Sequence, residues 1–122
     1  MKDTIEDFAA AHAARLSKKF QKEVRNAAKH PDDEEPIHDL RVSIRRLSQC
    51  LSEFREFLPR HKKKRTLKQL AKLMDLAAEM RNRDIAIALV GEQNPGLVVS
   101  LSEERERAKR KLTRTLNRWR RR

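Results

Sequence analysis

Turn-forming and cross-linking residues are scarce in this sequence. Its 122 residues include two glycines, four prolines, one cysteine and no tyrosine. So few turn residues exclude a sandwich or barrel of many short strands. The single Cys50 cannot form an intramolecular disulfide, which suits a reducing compartment. No apolar run approaches the ~18–20 residues of a membrane span, and the first residues lack the apolar segment of a secretion signal. We therefore expect a cytoplasmic protein with no membrane partner.

Positive charge, in contrast, is abundant. The chain has 30 Lys and Arg residues against 18 Asp and Glu residues, a net charge of +12. Most of the excess lies in residues 37–72 (+8) and 96–122 (+7), whereas residues 32–36 include four acids. A bound polyanion would relieve the self-repulsion of such a chain. The composition therefore predicts an anionic partner.

Hydrophobic spacing predicts two helices in the first half of the chain. The first begins near Thr4, which with Asp7 resembles a capping box, and runs to about His30. The second has Pro36 at its first position and ends after Leu58, and its apolar residues follow a 3-4-3-4 spacing typical of bundles. The expected inward residues are Ile5, Phe8, His12, Leu16, Phe20 and Val24 in the first helix and Ile37, Leu40, Ile44, Leu47, Leu51, Phe54 and Leu58 in the second.

Two more helices follow in the second half. The third runs from about Lys62 to Val90, and Gly91 is its expected C-cap. After a turn at residues 94–96, a capping box from Ser100 to Glu103 would open the fourth helix. The expected inward residues are Leu70, Leu73, Leu76, Met80, Ile87 and Val90 in the third helix and Leu101, Ala108, Leu112, Leu116 and Trp119 in the fourth. The sequence thus predicts one all-α domain, residues 1–122, folded as an antiparallel four-helix bundle with long helices.

A stripe of cations on the second helix is the sharpest functional feature. His38, Arg41 and Arg45 are spaced i, i+3, i+7, and each follows an expected inward residue, so the stripe flanks the core. Arginine binds phosphate oxygens bidentately, and we expect His38 in the first helical turn, where free backbone N–H groups favour anions. The alternative is a solvated basic face with a capping histidine.

Similar stripes occur on the other three helices. Cations at helical spacing could line one basic groove, although any surface helix also needs solubilising charge. The stripes are Arg15, Lys18, Lys22, Arg25 and Lys29 on the first helix, His61, Arg65, Lys68 and Lys72 on the third, and Arg107, Lys111, Arg114, Arg118 and Arg121 on the fourth.

The adjacent Arg83 and Asp84 fall near the inward side of the third helix, where an unpaired charge is costly. One interpretation is a buried ion-pair network that ties helices together. The other places Arg83 at the floor of an anion site, with Asp84 orienting a neighbouring cation.

Signs of catalysis are weak. The four histidines have no metal-ligand spacing with one another or with Cys50, which we expect to be inert packing. No glycine-rich phosphate loop exists. We therefore expect no enzyme activity, no metal site and no cofactor.

The segment from His38 to Arg46 resembles the signature of the CHAD family, the conserved histidine α-helical domains. That signature has a histidine, an arginine three residues later and a paired arginine four residues after that, here His38, Arg41, Arg45 and Arg46. The segment Arg83-Asp84-Ile85 looks like a second family element, and the resemblance extends over about residues 5–120.

The resemblance implies non-catalytic binding of inorganic polyphosphate in a basic channel, and association with polyphosphate granules. The signature residues would contact phosphates, and the other stripes would widen the channel. The residues so implied are His38, Arg41, Arg45, Arg46, Arg15, Lys18, Lys22, Arg65, Lys68, Lys72, Arg83, Arg107, Lys111 and Arg114. A full family member resembles two such bundles related by a pseudo-twofold axis, so this chain either forms a homodimer or is part of a longer protein.

The main alternative is a general binder of nucleic-acid backbones, because a charge of +12 attracts any phosphate chain. Binders of single strands offer exposed aromatic rings. Here Phe8, Phe20, Phe54 and Trp119 all fit the apolar seams. A phosphohydrolase would need a carboxylate cluster for its metal ions, which the sequence lacks. We therefore favour polyphosphate.

Overall fold

Four helices joined by short turns make up the protein. The computed structural model describes residues 4–121, with residues 61 and 62 described by their backbone alone. The helices are α1 (Ile5–Lys29), α2 (Glu34–Glu53), α3 (Arg60–Val90) and α4 (Pro95–Arg120). No strand occurs among residues 4–121. Helix α1 packs on α2 and α4, whereas α3 packs closely on α4 and more loosely on α2. The all-α four-helix bundle is confirmed.

One hydrophobic core joins the four helices. Phe20 of α1 meets Trp119 of α4 edge to face, with the ring centroids 5.0 Å apart. Most predicted inward positions are buried because the 3-4 spacing keeps them on one face of each helix. The core side chains are Phe20, Val24, Ala27, Ile37, Leu40, Ile44, Leu47, Leu51, Leu70, Leu73, Ala77, Met80, Ala108, Leu112, Leu116 and Trp119.

The predicted capping box of α1 is confirmed, but the bounds of α2 differ from the prediction. Thr4 Oγ1 accepts from the backbone N–H of Asp7 at 3.0 Å, and the Asp7 carboxylate accepts from that of Thr4 at 3.3 Å. Helix α2 begins at Glu34, so Pro36 is its third residue instead of its first. Two acids in the first turn favour this earlier start, because they lie at the positive end of the helix dipole. The helix ends at Glu53 instead of Leu58.

Helix α4 begins earlier than predicted. Gly91, with φ of 55°, ends α3 as expected. The side chain of Asn94 then caps α4 by accepting from the N–H of Leu97 at 3.1 Å, and Pro95 is the first helical residue. The predicted turn at residues 94–96 and the capping box from Ser100 to Glu103 are therefore wrong. Asn94 and Pro95 together make a sufficient start, so the chain is already helical when it reaches Ser100.

The ends of the bundle leave several apolar side chains exposed. Ile5 and Phe8, predicted to face inward, are 53% and 52% exposed, and Ala9 is the buried residue of that turn. Helix α2 ends at Glu53, so the first turns of α1 are covered in part by Phe54 and the short 3₁₀ turn Arg55–Phe57 instead of by further turns of α2. At the other end of the bundle, Leu89 of α3 is 79% exposed. Among residues 4–121, no helix combines the length and the apolar character required to cross a bilayer.

Candidate anion-binding site

Three arginines approach one another between α2 and α3. Arg41 is half-buried, and its Nε is buried without a hydrogen-bond partner among the described residues. Burial, followed by the positive charges of Arg81 and Arg45, lowers the pKa of Arg41. In the described part of the chain, none of these three arginines forms an ion pair with a carboxylate. Among the described residues, these three guanidinium groups thus have no carboxylate in direct contact.

Arg81 comes from α3 and lies outside the cation stripes predicted from the sequence. A usable signal was present, however. Arg41 follows the buried Leu40 in the chain, and Arg81 follows the buried Met80 in the same way. A cation one position after a core residue lies at the edge of the core, where it can face a neighbouring helix. The rule that selected the stripe on α2 would have selected Arg81 on α3.

Arg41 and Arg81 line a cleft of about 560 Å³ that is open between α2 and α3. The loose packing of these two helices provides the space. The cleft has three kinds of surface: cationic, apolar and acidic. The cations are His38, Arg41, Arg81 and Arg105, the apolar residues are Ile37, Met80, Ile85 and Ala88, and the acids are Asp32, Asp33, Glu34 and Asp84.

An ion-pair network closes the acidic end of this cleft. The Arg105 guanidinium donates to Asp84 at 2.7 Å and to Asp32 at 2.9 Å, and the Lys109 ammonium donates to Asp32 at 2.9 Å. Hydrogen bonds from Lys109 and Arg105 hold the pKa of Asp32 below its usual value. The network therefore compensates Asp32 and Asp84, and it ties the α1–α2 loop to α4.

Arg83 and Asp84 form ion pairs that link α3 to α4. Arg83 pairs with Glu104 of α4 at 2.9 Å, and Asp84 pairs with Arg105. The ion-pair interpretation is thus confirmed, but the pairs are not buried, because the Arg83 and Asp84 side chains are 38% and 51% exposed. Arg83 does not line the cleft.

The four signature residues lie on two sides of α2. Arg41 lines the cleft toward α3, while Arg46 lines a separate cavity of about 390 Å³ between α1 and α2, together with Leu16 and Lys19. His38 borders both spaces. Because α2 starts at Glu34, His38 is its fifth residue and lies beyond the first turn, so the predicted position at free backbone N–H groups is wrong.

A second basic region lies between α3 and α4. It is a groove of about 530 Å³, which includes Lys72 of α3 and no carboxylate. Its cations are exposed. The groove is lined by Lys72, Leu76, Lys111, Arg114, Thr115, Asn117, Arg118 and Arg121.

The remaining predicted cations lie apart from both regions. The stripe on α1 (Arg15, Lys18, Lys22, Arg25 and Lys29) is exposed, and Lys22 is two residues, or 200°, from both buried Phe20 and buried Val24. Arg65 and Lys68 lie near the start of α3, and Arg107 lies on the outer face of α4. The side chain of His61 is outside the described residues. The structure therefore does not bring the four stripes into one groove.

Within residues 4–121, no group of three His, Cys, Asp or Glu side chains is arranged to hold a metal ion. Cys50 is buried, as expected, and burial together with Glu53 raises the pKa of its thiol. A raised pKa keeps the thiol protonated and unreactive near neutral pH.

The chain matches a known protein family. The model of the CHAD domain matches residues 10–122, nearly the whole chain. Searches of curated proteins and of solved structures gave no significant match.

Proposed function

Because the chain belongs to the CHAD domain family, we propose that it binds inorganic polyphosphate without catalysing a reaction on it. Phosphates bind first in the α2/α3 cleft, between Arg41 and Arg81, with His38 at its edge and Arg45 of α2 nearby. The cations of the groove between α3 and α4 add affinity through charge alone. The protein acts in the cytoplasm, where it associates with polyphosphate granules.

The buried Nε of Arg41 supports this proposal best. A buried donor without a partner costs ~1–3 kcal/mol, and more when the group is charged. Two further arginines within electrostatic range add repulsion to that cost. A phosphate at Arg41 would offset the repulsion and, once the side chain shifts toward the cleft, satisfy the donor. A basic face that served only solubility would leave its guanidinium groups in water, as Arg25 of α1 does.

The close spacing of the arginines is expected to favour polyphosphate over other phosphate chains. Guanidinium groups bind two oxygens of one phosphate in a fixed geometry. Successive phosphates of polyphosphate carry no bases, so they can follow closely spaced arginines on two neighbouring helices. The exposed cations elsewhere on the protein attract any polyanion in a salt-dependent way.

A competition experiment tests the proposal. Long-chain polyphosphate and single-stranded RNA, matched in charge concentration, compete for the protein at ~150 mM salt, where exposed charges are largely screened. We expect polyphosphate to win by about tenfold or more, which corresponds to about 1.4 kcal/mol. Even competition would mean that the protein recognises charge alone and would contradict the proposal.

The apolar part of the cleft suggests a homodimer. Polyphosphate has no apolar surface to contact Ile85, which is 45% exposed and lies one turn from Leu89 on α3. Residues 73–95, which include Ile85 and Leu89, have a net charge of −2, so two copies of a +12 chain repel each other least here. A twofold axis beside Ile85 and Leu89 would bring two clefts together.

Sedimentation velocity tests the homodimer. It should show a dimer that polyphosphate stabilises and that Leu89→Lys disrupts, while Val99→Lys on α4 leaves it intact.

A further inference from the structure

An aromatic cluster lies at the exposed start of α1, beside the end of α2, whereas the α2/α3 cleft lies beside the start of α2. The Phe8 ring is stacked against His12, with centroids 5.7 Å apart and planes at 16°, and it meets Phe54 at 5.8 Å in a tilted contact. His12 meets Phe54 edge-on at 6.2 Å. The three rings hold one another in place, yet Phe8 remains 52% exposed. Its outward ring surface is therefore a fixed platform.

Cations continue from this platform along the same face of the bundle. Phe8, His12, Arg15 and Lys19 are spaced 4-3-4, so they form one row on α1. The Arg15 guanidinium approaches Nδ1 of His12 at 3.4 Å, which links the ring cluster to the first cation. From Phe8 to Lys19 the row is about 16 Å long, given a helical rise of 1.5 Å per residue.

The row leads into the cavity between α1 and α2 that Lys19 shares with Arg46. Lys19 is partly neutralised by Glu23 at 3.1 Å. Arg46 is exposed and forms no ion pair among the described residues. Arg15 and Arg46 are therefore the cations of this face that remain open to an anion.

We propose that this face binds single-stranded nucleic acid, with one base stacked on Phe8 and the backbone following Arg15 toward Arg46. An aromatic platform beside a cationic track is the combination that binds single strands, because every base has a π-face. Polyphosphate has no base and gains nothing from an exposed phenyl ring. The site is separate from the α2/α3 cleft and adds a second ligand class to the proposed function.

The test is to change the ring and keep the charge. Phe8→Leu retains an apolar side chain but removes the π-face, and the exposed position should leave folding intact, which circular dichroism checks. Binding of a fluorescent oligoadenylate and of labelled long-chain polyphosphate is measured by anisotropy at one salt concentration. We expect Phe8→Leu to weaken oligoadenylate binding about tenfold, the scale of one lost base stack, and to leave polyphosphate binding unchanged.

Two controls make the result specific. Ile5→Ala removes another exposed apolar side chain near the same end and should change neither affinity. An abasic oligonucleotide should bind the wild type about as weakly as oligoadenylate binds Phe8→Leu.

Equal binding of oligoadenylate to the wild type and Phe8→Leu would overturn the proposal. So would a change of oligomeric state in Phe8→Leu without a change in binding, since this face would then be a contact between copies. Neither outcome bears on polyphosphate in the cleft, because the competition against single-stranded RNA is also run in Phe8→Leu, where RNA has lost the proposed stacking contact and competes through its charge.

Discussion

The α2/α3 cleft and the groove between α3 and α4 are both basic, but they hold their cations in different ways. In the cleft, Arg41 is half-buried, has a pKa lowered by burial and by neighbouring arginines, and leaves its Nε without a partner. In the groove, Lys72 and Arg114 are exposed, and Arg118 donates to Thr115 Oγ1 at 3.2 Å. Charge density is thus common to both regions, whereas a fixed and unsatisfied donor is particular to the cleft.

The difference separates attraction from recognition. Exposed cations on flexible stems attract a polyanion at long range, and salt screens that attraction. A half-buried guanidinium has already lost water and rotational freedom, so it gains more from a phosphate at the right position. If this distinction holds, equal losses of charge in the two regions will have unequal effects.

The largest effect is expected when Arg41 of the cleft and the neighbouring Arg45 of α2 are removed together. Arg41→Gln with Arg45→Gln should weaken polyphosphate binding about tenfold more than Arg118→Gln with Arg121→Gln, a difference of about 1.4 kcal/mol. Both double variants lose the same charge, so the generic attraction falls equally. Titration calorimetry at one salt concentration measures the difference. Equal losses in the two variants would reduce the cleft to a patch of ordinary surface charge.

A smaller effect should distinguish two arginines on α3. Arg81 lies near Arg41 in the cleft, whereas Arg83 is already paired with Glu104. We expect Arg81→Gln to weaken polyphosphate binding about fivefold, about 1 kcal/mol, and Arg83→Gln to change it little. The same titration measures both. A loss in Arg83→Gln as large as that in Arg81→Gln would show that the α3/α4 ion pairs open to admit the ligand.

Arg81 and Arg83 also illustrate what could and could not be predicted from the sequence. The 3-4 spacing correctly predicted four helices and most of the core positions, because periodicity determines which face of a helix turns inward. Periodicity does not determine how closely two helices pack. The loose contact between α2 and α3 creates the cleft and brings Arg81 to Arg41. The residue pattern of one helix carries no information about how far away its neighbouring helix lies.

The exposure of Phe8 was missed for a related reason. The residue fits the spacing of an inward face, but that face is covered only where a partner helix reaches it. Helix α2 ends at Glu53, several residues before the predicted end at Leu58. The sequence therefore predicted which side of α1 carries Phe8, but it did not predict that the ring is exposed.

The smallest expected effect concerns the stability of the free protein. Arg41→Met keeps much of the side-chain volume and removes a half-buried charge that has no partner and two like-charged neighbours. We expect the free energy of unfolding to rise by about 1 kcal/mol, since replacing an uncompensated buried charge by an apolar group is often stabilising. Thermal unfolding in a phosphate-free buffer at low ionic strength should then show Tm higher by about 4 °C. Arg25→Met, at an exposed position on α1 away from Arg41, is the matched control and should change Tm little. A lower Tm for Arg41→Met would mean that the guanidinium stabilises the fold, and the unsatisfied Nε would then no longer indicate a site adapted to an anion.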